Sequence, residues 1–165
     1  MAGAVRVVRD VRPTIPPFQD LLDRHRGTVY RFCRAAVGPI DADDVFQETF
    51  LAALRAYPRL RDAEHLDRWL LRIASRKAID HHRGRARRAI PIDELPERPT
   101  GAAPEPDDEL WSAVATLPPR QRIAVVHRHV LDRPYAEIAE LMGSSEQTAR
   151  ANVYQGTKRL RELMA

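Results

Sequence analysis

Apolar residues recur along this chain at spacings of three and four, the period of one face of an α-helix. Phe18, Leu21, Leu22, Val29, Phe32, Cys33 and Ala36 predict a first helix or helix pair. Val45, Phe46, Thr49, Phe50 and Leu54 make a second apolar stripe, and Leu66, Trp69, Leu70, Ile73, Ala74 and Lys77 a third. Further on, Leu110, Trp111, Val114 and Leu117 predict a short helix that Asp107 or Asp108 caps. Pro118 and Pro119 interrupt it and suit the first turn of the next helix, which carries Ile123, Val126 and Val130. Pro134 opens a helix with Ile138, Leu141 and Met142. Gly143 ends that one, and Ser144 or Ser145 caps a last helix running to about Met164. No strand-like alternation interrupts this series, so the fold class is all-α.

The two sets of helices are separated by composition. Residues 89–108 contain Pro91, Pro96, Pro99, Pro104 and Pro106, and proline removes a backbone donor and clashes inside a helix. With six acidic residues and few large apolar ones, this stretch reads as an extended linker. The expected organisation is a tail over 1–14, a three- or four-helix bundle over 15–88, the linker, and a second small helical domain over 109–165.

Charge follows the same divisions. Residues 1–88 carry 18 Lys/Arg against 11 Asp/Glu, net +7. Residues 89–108 carry one against six, net −5, and residues 109–165 eight against six, net +2. A basic block, an acidic spacer and a second basic block point towards a polyanion held at more than one place. The composition, 44% hydrophobic and 30% charged, is that of a globular protein. No stretch approaches the ~18 apolar residues of a membrane span, and Met1 to Arg12 lacks the apolar run of a secretory signal. Cys33 is the only cysteine, which excludes an internal disulfide and a cysteine zinc site and suits a reducing cytoplasm.

Chemistry concentrates near the C-terminus. Tyr135 to Leu160 has the layout of a helix-turn-helix: small Ala139 facing inward, Gly143 at the turn, and a second helix from about Ser145. Ala149, Val153, Gly156 and Leu160 give that second helix its inward face. The outward set is Glu146, Gln147, Arg150, Ala151, Tyr154 and Gln155, where Arg and Gln suit base edges in a major groove. Lys158, Arg159 and Arg161 lie nearer phosphates. Taken alone, this pattern fits equally an αα-hairpin with solvated arginines.

The run Leu117-Pro-Pro-Arg-Gln-Arg, followed by Tyr135-Ala-Glu-Ile-Ala-Glu-Leu-Met-Gly, closely resembles region four of bacterial sigma factors. Asp41-Ala-Asp-Asp-Val-Phe-Gln-Glu-Thr-Phe, then Arg68-Trp-Leu-Leu-Arg-Ile-Ala, Ala78-Ile-Asp and Arg83 resemble region two in the same order. Both together, joined by a short linker, resemble the extracytoplasmic-function branch of the sigma-70 family, which keeps regions two and four alone. The resemblance implies a promoter-specificity subunit of RNA polymerase with no catalytic residues, no metal, no cofactor and no small-molecule substrate. Asp41, Asp43, Asp44, Gln47 and Glu48 would dock on the clamp helices of the largest polymerase subunit, with further contact at the flap region. Three aspartates at a helix start also make an ordinary acidic cap, with Phe46 and Phe50 in the core. A divalent-metal reading is disfavoured because adjacent helical positions point apart. Arg61, Arg68, Arg72, Arg76, Lys77, Arg83, Arg85, Arg87 and Arg88 would form the minus-ten surface, beside a loop over Tyr57 to His65 that captures an unstacked base. Trp69 is read mainly as core, and the adjacent His81 and His82 as polar surface. The outward set from Glu146 to Gln155, together with Ser145, Thr148, Lys158 and Arg159, would read the minus-thirty-five element. Promoter DNA, core polymerase and an anti-sigma protein are the implied partners.

The chain departs from the family pattern at Arg76 (usually asparagine), Ser144 (usually apolar) and Ala149 (usually valine). Asn152 and Gln155 stand where basic residues are common, and Gly156 weakens its helix by ~1 kcal/mol relative to alanine. Minus-thirty-five contacts are therefore expected to carry less charge and more amide hydrogen bonds. A stand-alone helix-turn-helix regulator with an N-terminal dimerisation or sensor bundle is the competing reading. An enzyme has little support, since no phosphate loop or nucleophile motif appears and Cys33 sits on an apolar stripe.

Overall fold

A computed structural model describes residues 14–88 and 106–165; the linker expectation falls largely, and the tail expectation almost entirely, outside them. The elements in order are α1 (Phe18–Val37), α2 (Ala42–Ala56), a 3₁₀ turn (Tyr57–Arg59) and α3 (Leu66–Arg87). After them come α4 (Pro106–Ala115), α5 (Pro119–Val125), a π-helical turn (Val126–Val130), α6 (Tyr135–Met142) and α7 (Glu146–Leu163). The described residues contain no strand. The first apolar stripe forms one helix rather than a pair, and α4 begins at Pro106, so positions 107 and 108 both fall inside it rather than at its N-cap.

The helices α1, α2 and α3 pack on one another through Leu21, Val29, Phe32, Ala36, Val45, Phe50, Ala53, Leu70, Leu71 and Ala74, all buried. Around one end an aromatic group closes the bundle. Phe18 meets Tyr57 edge-on at 5.3 Å between ring centroids, Phe46 meets Phe50 at 4.9 Å, and the Tyr57 hydroxyl donates to the Pro16 carbonyl. Thr49 is buried without cost because its hydroxyl donates to the Val45 carbonyl, 2.7 Å away.

The second set packs α7 across α5 and α6, with Ile123, Ile138, Leu141, Met142, Ala149 and Val153 inside. The α6–α7 turn is closed by local chemistry. Gly143 takes a left-handed φ of +60°, its N–H bonds the Glu140 carbonyl, and the Ser144 N–H reaches back to Ala139 at 2.9 Å. That pair satisfies the free carbonyls at the end of α6. Ser145 then caps α7 by accepting from the Thr148 N–H at 3.1 Å.

The buried cluster does not stop at the boundary between the two sets. It runs continuously from α1 and α3 into α5, α6 and the π turn. Where α1 ends, Gly38 adopts a φ of +88°, and two carbonyls of the last turn accept from distant side chains. Arg122 Nε donates to the Ala35 carbonyl at 2.9 Å, and His82 Nε2 lies 2.8 Å from the Ala36 carbonyl. A helix C-terminus carries unpaired carbonyls and partial negative charge, so a guanidinium is a fitting cap.

Candidate nucleic-acid interface

Three surfaces collect the residues singled out by the sequence. The first is α2. Asp43, Asp44, Gln47 and Glu48 are exposed and spaced three and four apart, so they share one face. Carboxylates in the first turn are favoured by the helix dipole. Asp41 is different: it stands at the start of α2 without a capping bond, and its carboxylate turns to Arg85 at 2.6 Å and lies 3.2 Å from His81. Leu54 fits the second apolar stripe by spacing, but it is 49% exposed, and Leu51 beside it is 52% exposed. The inward positions are Thr49, Phe50 and Ala53 instead. Two leucines beside an acidic row make a mixed apolar and anionic patch. Sequence reasoning missed Leu51, and the spacing gave no signal for it, because Leu54, three positions on, was itself assigned to the apolar stripe.

The second surface is α3 with the loop before it. Arg72, Arg76, Arg83, Arg85, Arg87 and Arg88 are exposed, as is Arg61 on the loop, and Lys77 is half-buried. Arg85 pairs with Asp41, and Arg88 folds back on the Gly84 carbonyl at 3.2 Å. Arg68 is brought away from this row: it pairs with the buried Glu137 of α6 at 3.0 Å. Trp69 is partly buried against the core, its ring 6.2 Å from Tyr57. His81 and His82 are not free polar surface. Both are half-buried, and burial, partly offset by the bond to Ala36, lowers the pKa of His82 below its ordinary value.

The third surface is α7. Ala149, Val153 and Gly156 face inward, so Ser145, Glu146, Gln147, Thr148, Arg150, Ala151, Tyr154, Gln155, Lys158 and Arg159 all lie exposed. Arg150 is held in place: it pairs with Glu146 at 2.8 Å, and its guanidinium sits 4.4 Å from the centroid of the Tyr135 ring. Arg128 stacks on the same ring at 4.7 Å. Gly156, which a helix-propensity argument marks as a weakness, sits where α7 crosses α5. A Cβ there would lie 2.6 Å from a methyl of Val125.

Among the described residues no group of carboxylates, histidines and cysteines is arranged to hold a metal ion, and no helix is long and apolar enough to cross a membrane. Cys33 is buried, and desolvation pushes its thiol up to about 12, far from a reactive thiolate.

Residues 21–88 match the family described as sigma-70 region 2, and residues 107–160 match sigma-70 region 4. The chain is 33% identical to the extracytoplasmic-function RNA polymerase sigma factor SigD of Mycobacterium tuberculosis, over 98% of this chain and 79% of that one. It is 34% identical to the RNA polymerase sigma factor CarQ of Myxococcus xanthus, over 89% and 88%. Its fold is similar to that of the sigma factor RpoE from Bartonella quintana, solved in complex with the anti-sigma factor NepR. That match has a TM-score of 0.73 and 20% identity, and covers 89% of this chain and 96% of that one.

Proposed function

We propose that this chain, which belongs to the sigma-70 family and to its extracytoplasmic-function branch, binds core RNA polymerase and directs it to promoters, where it recognises two elements and assists strand separation. The unit over 15–88 contributes α2 and α3, the unit over 109–165 contributes α7, and residues 89–108 connect them. The exposed acidic row of α2, with Leu51 and Leu54 beside it, docks on the clamp helices of the largest polymerase subunit. Its carboxylates meet basic side chains while the leucines bury apolar area. The exposed cations of α3, with Arg61, track the phosphates of the separating minus-ten strands, and the loop over Tyr57 to His65 holds an unstacked base. The exposed face of α7 enters the major groove at minus thirty-five. There Arg150, braced by Tyr135 and Glu146, is the side chain most constrained to a single direction.

Residues 89–108, net −5, complement the basic RNA-exit path of polymerase, near the flap. The protein works in the cytoplasm, catalyses no step itself and needs no cofactor. The relative solved with an anti-sigma factor supports a partner of that kind.

The observation that carries this reading is the division of labour among exposed faces: acids and leucines outward on α2, cations outward on α3 and α7. Transcription in vitro tests it, using sigma-free core polymerase, this protein and a pool of promoter fragments. Specific transcripts should appear only with the protein and disappear when Asp43 and Asp44 are replaced by lysine. Absence of transcripts together with absence of core binding refutes it, and binding to an inverted repeat without polymerase would establish a stand-alone regulator instead.

A further inference from the structure

Beyond Ala78, no residue of α3 is buried. The buried positions are Leu66, Leu70, Leu71, Ala74, Ser75 and Ala78, yet the helix continues to Arg87, roughly two and a half turns further at 3.6 residues per turn. Within that overhang Ile79 packs partly against the core, and Gly84 weakens the helix. So short a segment does not stay helical on its own, since isolated helices below about 12–15 residues are marginal. The overhang nonetheless carries half of a cation row. Arg72, Arg76, Arg83 and Arg87 are spaced four, seven and four apart, are all exposed, and fall within about 60° of one another around the helix.

What ties the overhang down is a polar clasp on its far side. His81, His82 and Arg85 lie more than about 100° around the helix from the middle of the cation row. His82 Nε2 is 2.8 Å from the Ala36 carbonyl, in the last turn of α1. Arg85 donates to the Asp41 carboxylate at 2.6 Å, and His81 Nε2 lies 3.2 Å from the same oxygen. These three side chains hold the overhang at the corner where α1 ends and α2 begins.

Asp41 is the member of the clasp that belongs to α2. An aspartate at a helix N-cap ordinarily accepts from a backbone N–H two or three positions on, but Asp41 makes no such bond. Its carboxylate is turned to α3 instead and is 21% exposed, whereas Asp43, Asp44 and Glu48 are fully on the surface. The resemblance groups Asp41 with the docking acids, and the geometry separates it from them. An ion pair to an arginine that is 66% exposed contributes little to the stability of a whole domain. On a short overhang with a glycine and no buried anchor, a small restraint decides between an ordered end and a frayed one.

We propose that Asp41 is a positioning residue: it fixes the overhang of α3, and with it Arg83 and Arg87, against the start of α2. A polymerase docked on the acidic face of α2 then finds these two cations at a set distance from the docking surface, ready for the phosphates of the minus-ten strands. Asp43, Asp44 and Glu48 serve the docking, and Asp41 serves the presentation of cations that follows it. The inference rests on the sigma reading for this purpose, while the clasp itself is testable without polymerase.

Hydrogen exchange of the full chain alone is the first test. In Asp41→Ala the amides of residues 83–88 should exchange severalfold faster than in wild type, with those of α7 unaltered. Asp41→Glu, whose longer carboxylate still reaches the exposed Arg85, should restore protection. If Asp41→Ala loses its helical circular dichroism, Asp41→Asn decides. The second test uses core polymerase and a promoter fragment that the transcription assay yields. Asp41→Ala should half-saturate core at a concentration close to that of wild type, in contrast to the lysine replacements at Asp43 and Asp44. Its holoenzyme should bind the fragment severalfold more weakly, and Asp41→Glu should recover that loss as well. Core binding weakened as much as by the Asp43 and Asp44 replacements would make Asp41 a polymerase contact and overturn the inference. Unaltered exchange over 83–88, or unaltered promoter binding, would overturn it too. Exchange as expected with no core binding by any form would uphold the clasp and sink the sigma reading instead.

Discussion

Replacing Gly156 by alanine tests whether packing or helix propensity governs α7. In an exposed helix the change would stabilise by ~1 kcal/mol, since glycine loses more backbone freedom on folding. Here the new methyl would stand 2.6 Å from Val125 Cγ2, 3.4 Å from the Gln121 carbonyl oxygen and 3.5 Å from Gln121 Cβ. Carbon atoms rest at about 3.5–4.0 Å, so α5 and α7 must part by roughly 1 Å or Val125 must leave its rotamer. A valine in a helix has essentially one rotamer, so the backbone has to give. Overpacking of this kind costs about 1–3 kcal/mol, which outweighs the propensity gain and leaves a net loss of roughly 1 kcal/mol. For a chain of this size that lowers Tm by about 2–4 °C. Urea unfolding followed by circular dichroism measures it, with Val125→Ala as the second arm of a double-mutant cycle. In the Val125→Ala background the clash is gone, and Gly156→Ala should stabilise. The same sign in both backgrounds would refute the reasoning.

Stability should also fall with acid. His127 has its pKa lowered by burial and by Arg133 to about 3, against an ordinary 6.5. The unfolded chain therefore binds more protons between those values, so its contribution is present above 6.5 and is lost as pH drops below it. His82 and His25, both lowered chiefly by burial, act in the same direction, and urea midpoints at pH 7 and pH 5 should differ accordingly. His127→Phe should flatten that difference. Ser145→Ala removes the acceptor for the Thr148 N–H and should cost about 1 kcal/mol in the same unfolding assay. Cys33, buried and with its thiol pKa raised to about 12, should resist a thiol reagent in the native protein and react once urea unfolds it. DNA binding by α7 should show a salt slope below roughly six released ions, because Gln147 and Gln155 stand among few cations.

What the sequence determined by itself is local and periodic. A stripe at spacings of three and four specifies which side of α1, α3 or α7 is apolar, and so exposes Gln147, Arg150 and Lys158 together. Gly143 followed by Ser145 specifies a stop and a restart, because the left-handed φ and the capping hydroxyl are properties of those residues. What the periodicity leaves open is which neighbour meets each face and how closely. Leu54 fits a stripe by spacing yet lies exposed, since α2 buries Ala53 against its neighbours. Arg122 caps a helix 87 positions away, and His127 meets Ser75 across 52. Nothing local marks Arg68 or Asp41 as paired rather than free, or Gly156 as the point where two helices nearly touch. Those facts belong to the tertiary structure because they depend on the distance between elements, and a hydrophobic pattern records only the direction in which each element turns its apolar side.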